Sequence, residues 1–313
     1  MVAEKSELIV LVPDEVGERA LASLEGVRAV RYDESAGPEG LPSEAAEAEV
    51  LIPGFLAQEA AAAMIQACPK VRLVQLLSAG AEKFVGHLPE GVALSDCQGA
   101  HGGVTAEWVL AVVLAVVREI PAFVRNQLTA TWDQHLTDTL TGKHILLVGA
   151  GDLAEQTSRR LAPFDVGSVT RVGTRAREGV HGVDELPDLL PEADVVVLLV
   201  PLTDATRGLV DAGFLAAMAD GAIVVNAARG PVVQTDALLA ELQAGRLRAA
   251  VDVTDPEPLP ADHPLWSAPG LLLTAHVGGS VPGHLDRAYR VVTTQIEAVR
   301  AGQDPPNLVV GQY

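Results

Sequence analysis

A glycine-rich turn in the second half of the chain has the spacing of a phosphate-binding loop. The apolar run HILLV at 144–148 predicts a buried strand, GAGDLA at 149–154 follows it as G-x-G-x-x-A, and a helix is predicted through Leu161. The glycines permit a tight turn and close approach of a pyrophosphate, the alanine permits close helix–strand packing, and the helix N-terminus offers free N–H groups. The predicted dinucleotide contacts are Gly149, Gly151, Asp152, Leu153 and Ala154. A tight turn without a ligand is the alternative.

The next strand of this series ends without an acidic residue. A site that prefers NAD usually carries Asp or Glu about 20 residues on, bonded to the ribose 2′-hydroxyl. Here SVTRV at 168–172 is followed by GTRAR at 173–177. Because guanidinium groups match the geometry of phosphate, Thr174, Arg175 and Arg177 predict a pocket for a 2′-phosphate. We therefore expect NADP(H), with NAD still possible; a solvated basic loop is the alternative.

Two further residues with useful chemistry come at strand ends. Arg229 follows a strand predicted at Ile223–Asn226, and His276 follows one at Leu271–Ala275. Ligands of α/β sheets bind outside the carboxyl ends of the strands, where both residues would lie. A guanidinium can bind a carboxylate and polarise a carbonyl, and an imidazole can give a proton to an alkoxide. Taken singly, a surface arginine and a structural histidine are the more ordinary interpretations.

The elements that must position these residues form two series. The first series has predicted strands at Leu8–Val12, Val27–Tyr32, Glu49–Ile52, Val71–Leu77 and Val92–Ser95, with helices at Asp14–Leu24 and Ala57–Ala67. The second has strands at His144–Val148, Ser168–Val172, Val195–Val200, Ile223–Asn226, Ala249–Val253 and Leu271–Ala275. Strands that alternate with helices imply right-handed βαβ units and parallel sheets.

Three segments lie outside this alternation. Thr105–Glu119 is predicted as a long helix that is apolar around most of its circumference and therefore buried, with Pro121 marking its end. Residues 122–140 form a polar excursion that contains Trp132, and His284–Arg300 has helical periodicity.

Composition narrows the class of protein. Apolar residues make up 49% of 313, which is a globular composition, and the net charge is 22 − 41 = −19. Such an acidic surface repels phosphate backbones and anionic lipid, so we expect no nucleic-acid or membrane partner. The two cysteines form neither a disulfide framework nor a metal site, and no HExxH pattern occurs, so we predict no metal. Reduced cysteines and an N-terminus unlike a secretory signal predict a cytoplasmic location.

Several strings in the C-terminal half, taken together, resemble one enzyme family. They are VGAGDLA at 148–154, LVPLTDATRGLVD at 199–211, VVNAARGPVVQTDALLAEL at 224–242, AAVDVTDPEPLPADHPLW at 249–266 and LLTAHVGGS at 272–280. In this order they resemble the D-isomer-specific 2-hydroxyacid dehydrogenases of the glyoxylate/hydroxypyruvate reductase type. The resemblance is strongest from 142 to 283 and weaker at the N-terminus, where QLLSAGAEKF at 75–84 is similar to the family's substrate-carboxylate loop.

The resemblance implies a role for each matching residue. Arg229 would hold the substrate carboxylate and carbonyl, His276 would exchange the proton, and Glu257 would orient His276. Asp252 would bond the nicotinamide carboxamide, and the remaining cofactor contacts would be Pro201, Thr206, Ala228 and Gly278. Ser78, Ala79 and Gly80 would bind the substrate carboxylate through backbone N–H groups, unless they form an ordinary turn. Phe55 and Ala79 are predicted to line the substrate side-chain pocket.

The same resemblance implies an architecture and an activity. We expect two doubly wound parallel-sheet α/β domains: a Rossmann cofactor domain, 101–283, inserted in a flavodoxin-like substrate domain, 1–100 and 284–313. The expected reaction is hydride transfer between NADP(H) and a small 2-keto acid or D-2-hydroxy acid. The excursion at 120–140 would serve as the arm of a homodimer, with Trp132 as an anchor. A dinucleotide-sensing regulatory protein on the same fold, without turnover, is the alternative.

Overall fold

The computed structural model describes residues 7–54 and 61–311, which form two compact units. The terminal unit combines Met1–His101 with Pro282–Tyr313, and the central unit is Gly102–Val281. Each unit contains one parallel sheet with helices, so the predicted class of two parallel-sheet α/β domains is confirmed. Phe55 and the first part of the helix predicted over Ala57–Ala67 lie outside the described residues.

The terminal unit is built on a five-stranded sheet. Its strands are β1 Leu8–Val12, β2 Val27–Arg31, β3 Val50–Leu51, β4 Leu73–Gln75 and β5 Ala93–Ser95. All described pairings are parallel, in the order β2-β1-β3-β4-β5. The inner strands are apolar on both faces, as expected where helices cover both sides of a sheet.

The α-helices among the described residues of the terminal unit are α1 Glu15–Leu21, α2 Ala61–Ala67 and α9 His284–Arg300. Asp14 fixes α1 to α9, because one carboxylate oxygen accepts the Gly17 N–H at 2.8 Å and the other accepts the Tyr289 hydroxyl at 3.0 Å. A Cβ on Gly17 would lie 2.5 Å from Cζ of Tyr289, so the close packing of these helices requires glycine there. The C-terminal helix is therefore part of the core of this unit.

The central unit is built on a seven-stranded sheet. Its strands are β6 His144–Val148, β7 Ser168–Gly173, β8 His181–Gly182, β9 Val195–Leu198, β10 Ile223–Asn226, β11 Arg248–Val251 and β12 Leu271–Leu273. They run parallel in the order β12-β11-β10-β9-β6-β7-β8. The order reverses between β6 and β9, where open α/β sheets form a ligand crevice at the carboxyl ends.

Helices of the central unit are α3 Gly102–Val117, α4 Ile120–Leu128, α5 Asp152–Leu161, α6 Leu186–Leu189, α7 Ala212–Ala217 and α8 Thr235–Gln243. The prediction that α3 is a buried helix is correct for one face, where Val109, Val113 and Val116 pack into the core. Glu107 and Ala111, four residues apart, are exposed, and the other residues of α3 are buried or half-buried.

The polar excursion predicted at 122–140 contains a helix that its composition did not indicate. The α3 helix ends at Val117, Glu119 adopts φ +53°, and α4 begins at Ile120 with Pro121 in its first turn. Proline is favoured there because a first-turn N–H has no intrahelical partner. Pro121 therefore helps to start the next helix and does not end α3.

A buried carboxyl group in the terminal unit should make the free energy of unfolding depend on pH. Asp96 is 6% exposed, and burial raises its pKa to about 6 while the Gln98 N–H donates to it at 2.9 Å. Since the unfolded value is about 3.9, the folded chain binds more protons between pH ~4 and ~6, and stability falls as pH rises through that window. Asp96→Asn should match wild type near pH 4 and exceed it by about 1–2 kcal/mol near pH 8. Denaturant unfolding at both pH values measures this; equal midpoints at pH 8 would contradict it.

Candidate active site

The glycine-rich turn joins β6 to α5 with the geometry of an anion site. Gly149 has φ +137°, and a Cβ there would lie 2.6 Å from the carbonyl oxygen of Leu199, so the turn requires glycine. Gly151 precedes α5 in an extended conformation. The N–H groups of Asp152, Leu153 and Ala154 then fall in the first helical turn, which has no intrahelical acceptors. These residues fit the pyrophosphate of a dinucleotide.

The side chain of Asp152 faces α3 and not an anion site. A Cβ on Gly102 would lie 1.9 Å from its Oδ2, and Gln156 Nε2 donates to its Oδ1 at 3.2 Å. Asp152 can therefore serve a phosphate through its backbone N–H while its carboxylate stays with α3. A side chain at Gly102 would have to displace the Asp152 carboxylate.

The loop after β7 brings a cation to the glycine-rich turn. Arg177 Nη2 donates to the carbonyl oxygen of Ala150 at 3.2 Å, and a Cβ on Gly173 would lie 2.9 Å from Arg177 Nη1. Thr174 and Arg175 are exposed on the same loop. A guanidinium thus lies beside the turn that would hold the pyrophosphate, at the end of the next strand.

The loop after β9 is held by one hydroxyl. Thr206 Oγ1 donates to the carbonyl oxygen of Pro201 at 2.6 Å and accepts the Thr203 N–H at 2.8 Å. The hydroxyl of Thr206 is therefore engaged within the loop, which leaves backbone and methyl groups to line a cofactor.

Arg229 is presented by a turn that a buried asparagine fixes. Asn226, the last residue of β10, is 1% exposed; its Oδ1 accepts the Ala228 N–H and its Nδ2 donates to the Arg229 carbonyl oxygen, both at 3.0 Å. Arg229 is half-buried, and its Nη1 donates to the carbonyl oxygen of Ala228 at 2.8 Å. The sequence analysis did not identify Asn226. An amide at the end of an apolar strand could have indicated it, because a buried amide must hydrogen-bond to nearby groups.

The turn after Arg229 packs directly on the loop that carries Glu257. A Cβ on Gly230 would lie 1.9 Å from the carbonyl oxygen of Thr254, so no side chain fits there. Thr235 Oγ1 also donates to the carbonyl oxygen of Asp255 at 2.9 Å. The positions of the two loops are therefore linked through their backbones.

Glu257 and His276 are in hydrogen-bond contact. Glu257 Oε1 lies 2.6 Å from His276 Nδ1, and the two side chains are 39% and 48% exposed. Because Nδ1 faces the carboxylate, Nε2 is the ring nitrogen left to exchange a proton with a ligand. His276 has φ +52°, a left-handed conformation that costs about 1–2 kcal/mol in a residue with a Cβ.

Asp252, after β11, is buried and bonded to the His276 loop. Its Oδ1 accepts the Thr274 hydroxyl at 2.5 Å and the Val277 N–H at 2.9 Å, and its Oδ2 accepts the Gly278 N–H at 2.7 Å. A nicotinamide carboxamide would add one hydrogen-bond donor to a carboxylate that already accepts from three. The sequence analysis did not identify Thr274, whose hydroxyl is one of those three donors.

The central unit thus brings most of the predicted residues to one edge of its sheet. Arg229, Asp252 and His276 follow β10, β11 and β12, which are neighbours. Ser78, Ala79 and Gly80 belong to the terminal unit, after β4. There Ala79 is exposed and Ser78 Oγ donates to the carbonyl oxygen of Gly80 at 3.2 Å.

A model of the D-isomer specific 2-hydroxyacid dehydrogenase NAD binding domain matches residues 110–278. The chain is 32% identical over 265 residues to a glyoxylate reductase of Thermofilum pendens, covering 79% of this chain and 77% of that one. The protein belongs to the D-isomer specific 2-hydroxyacid dehydrogenase family.

Two solved structures resemble the whole chain. One is a D-isomer specific 2-hydroxyacid dehydrogenase from Xanthobacter autotrophicus in complex with NADPH and MES, at 28% identity, TM-score 0.83 and 98% coverage of both chains. The other is an NADPH-dependent glyoxylate/hydroxypyruvate reductase from Sinorhizobium meliloti in complex with NADP and sulfate, at 25% identity, TM-score 0.80 and coverage of 97% and 98%. The predicted family and the predicted class, an NAD(P)-dependent dehydrogenase acting on small 2-hydroxy acids, are confirmed. The alternative of a regulatory protein without turnover is not favoured.

Proposed function

We propose that the protein reduces a small 2-keto acid, such as glyoxylate or hydroxypyruvate, to the D-2-hydroxy acid with NADPH. The observation that carries the proposal is the contact of 2.6 Å between Glu257 and His276 in the unit that also holds Arg229 and the dinucleotide turn. This arrangement can supply a proton donor and an anchor for a keto acid beside a cofactor. The names of the relatives support the choice of glyoxylate and hydroxypyruvate.

In this proposal each of three side chains has one task. The Arg229 guanidinium binds the substrate carboxylate and polarises the carbonyl. His276 gives a proton from Nε2 to the carbonyl oxygen as that oxygen becomes an alkoxide, and Glu257 holds the ring through Nδ1. The cofactor, when bound, supplies the hydride. In the oxidative direction, neutral His276 takes the hydroxyl proton.

The direct test is NADPH oxidation with a panel of carbonyl substrates. Glyoxylate and hydroxypyruvate should be reduced with saturation kinetics, and a neutral aldehyde of similar size should react far more slowly because it lacks the carboxylate. No turnover with any 2-keto acid in the panel would refute the proposed function.

The preference for NADPH is supported by Arg177 beside the glycine-rich turn and Arg175 on the same loop. Replacing both by Ala should raise the dissociation constant of NADPH by about 10- to 150-fold, because a charge-assisted phosphate contact contributes about 1.5–3 kcal/mol. The dissociation constant of NADH should rise by a smaller factor, because NADH lacks the 2′-phosphate. Titration of cofactor fluorescence measures both. Arg159→Ala, an exposed cation in the last turn of α5, is the matched control. Equal affinity of wild type for NADPH and NADH would contradict the preference.

We also propose that the central unit is the cofactor domain and that the terminal unit supplies Ser78–Gly80 to the substrate. The family model, which describes an NAD binding domain over 110–278, supports this division.

Two buried free cysteines, Cys68 and Cys97, support a location in the reducing cytoplasm. None of the helices among residues 7–54 and 61–311 is long and apolar enough to cross a membrane.

A homodimer is supported by exposed apolar side chains in the excursion at 120–140. Five large side chains there, Ile120, Val124, Leu128, Trp132 and Leu136, are between 48% and 97% exposed. Isolated exposed apolar residues are ordinary, but a run of this kind marks an interaction surface. We expect sedimentation equilibrium to give twice the chain mass for wild type and the single-chain mass for a Leu128→Ser/Trp132→Ser variant. A monomeric wild type would contradict the dimer.

A further inference from the structure

The backbone at His276 is left-handed, and something must hold it there. Residues with a Cβ keep such a conformation only where the surrounding structure over-determines it. In the central unit the His276 N–H donates to the carbonyl oxygen of Asp252 at 2.7 Å, and the Asp252 carboxylate accepts the next two N–H groups, those of Val277 and Gly278. Asp252 therefore accepts three consecutive N–H groups of the His276 loop and fixes its backbone conformation.

The Asp252 carboxylate is in turn held by a hydroxyl whose direction is set. Trp108 Nε1 lies 3.1 Å from Thr274 Oγ1, and Thr274 Oγ1 lies 2.5 Å from Asp252 Oδ1. An indole N–H can only donate, so Thr274 accepts from Trp108 and gives its single proton to Asp252. The chain of bonds runs in one direction, from α3 to the carboxylate.

Trp108 also supports the far end of the same loop. A Cβ on Gly278 would lie 3.5 Å from Trp108 Cγ, 3.5 Å from Thr105 Cγ2 and 2.9 Å from Asp252 Oδ2. The loop thus packs on α3 at Gly278 and is hydrogen-bonded to α3 through Thr274. His276 lies between Thr274 and Gly278 in the chain, so a displacement of α3 would also move His276.

We propose that Trp108 and Thr274 are positioning residues for the proton donor: they orient the Asp252 carboxylate, which fixes the left-handed turn and so holds His276 against Glu257. This inference rests on the proposed role of His276. It assigns a function to two residues that touch neither substrate nor cofactor in the proposed mechanism.

The test uses Trp108→Phe, which removes the N–H and keeps a ring beneath Gly278, and Thr274→Val, which removes the hydroxyl and keeps the shape. Each should lower kcat for keto-acid reduction by at least about 10-fold with a smaller change in KM, because a displaced His276 no longer meets the carbonyl oxygen in the right orientation. Thr274→Ser retains the hydroxyl and should restore most of kcat. The double variant Trp108→Phe/Thr274→Val should be no slower than the slower single variant, because both substitutions interrupt the same chain of hydrogen bonds to Asp252.

Controls separate positioning from stability. Thr293→Val removes a hydroxyl that donates to the Tyr289 carbonyl oxygen at 2.7 Å in α9, and it should leave kcat and KM unchanged. Thermal midpoints are measured for every variant. If kcat follows the thermal midpoint across the series, or if Thr274→Ser is as slow as Thr274→Val, the positioning role is overturned. An inactive wild type would instead refute the proposed function, and an active wild type with unaffected Trp108→Phe and Thr274→Val would refute the positioning alone.

Discussion

His276→Gln is expected to lower the turnover of keto-acid reduction by about 10²–10⁴-fold, the usual contribution of a general acid. Glutamine keeps a polar side chain on the strained turn after β12 but cannot release and recover a proton at neutral pH. NADPH affinity should stay close to the wild-type value, because the cofactor contacts proposed for the glycine-rich turn and the basic loop are untouched. Steady-state kinetics and a fluorescence titration of NADPH provide the two measurements.

The partner of His276 gives a second observation on the same pair. Glu257→Gln replaces the carboxylate that lies 2.6 Å from Nδ1 by a neutral amide, which holds the ring less firmly. Turnover should therefore fall in both directions, while NADPH affinity stays close to the wild-type value. Unchanged turnover in both directions would show that Glu257 is not coupled to the proton donor.

The chain offers a matched control for this pair. His181 and Glu185 lie 2.7 Å apart in the same unit, and both are exposed outside the proposed site. His181→Gln breaks an equivalent contact and should leave turnover and its pH dependence unchanged. A loss in His181→Gln as large as in His276→Gln would show that the assay reports general damage to the central unit.

The main elements of this fold could be predicted because their signals are local. The strands β6 and β10 and the helix α9 have the predicted bounds, since each is a continuous apolar run or a clear 3.6-residue period. The sequence analysis missed α4 because it treated residues 122–140 as one polar segment. Ile120, Val124 and Leu128 do repeat at the four-residue spacing of a helix face.

For the candidate site, the strand-end residues could be predicted and their supports could not. Arg229 and His276 were singled out because their types and their places after strands suggest chemistry. Trp108 and Thr274, by contrast, are 166 positions apart in the chain, and only the packing of α3 on the sheet brings them to hydrogen-bond distance. Asn226 lies between these cases, since its neighbours Ala228 and Arg229 are local but its two bonds depend on the shape of the turn.

The second large effect is expected for Arg229→Lys. Lysine keeps the positive charge but loses the planar fork that binds a carboxylate through two parallel bonds. The loss of one charge-assisted bond, about 1.5–3 kcal/mol, predicts a fall in kcat/KM of about 10- to 150-fold, with NADPH affinity close to the wild-type value. Arg248→Lys, at the amino end of β11 on the opposite edge of the sheet, is the matched control and should retain wild-type kinetics.

A non-reducible keto-acid analogue separates the two tasks proposed for Arg229. Oxamate has the carboxylate and the carbonyl of glyoxylate but accepts no hydride, so its inhibition constant reports ground-state binding. If the fork mainly anchors the carboxylate, the inhibition constant should rise by about the same factor as kcat/KM falls. If Arg229 mainly polarises the carbonyl as charge develops, kcat/KM should fall while the inhibition constant changes little. Unchanged values of both would place Arg229 outside the substrate site and remove the anchor on which the proposed reduction depends.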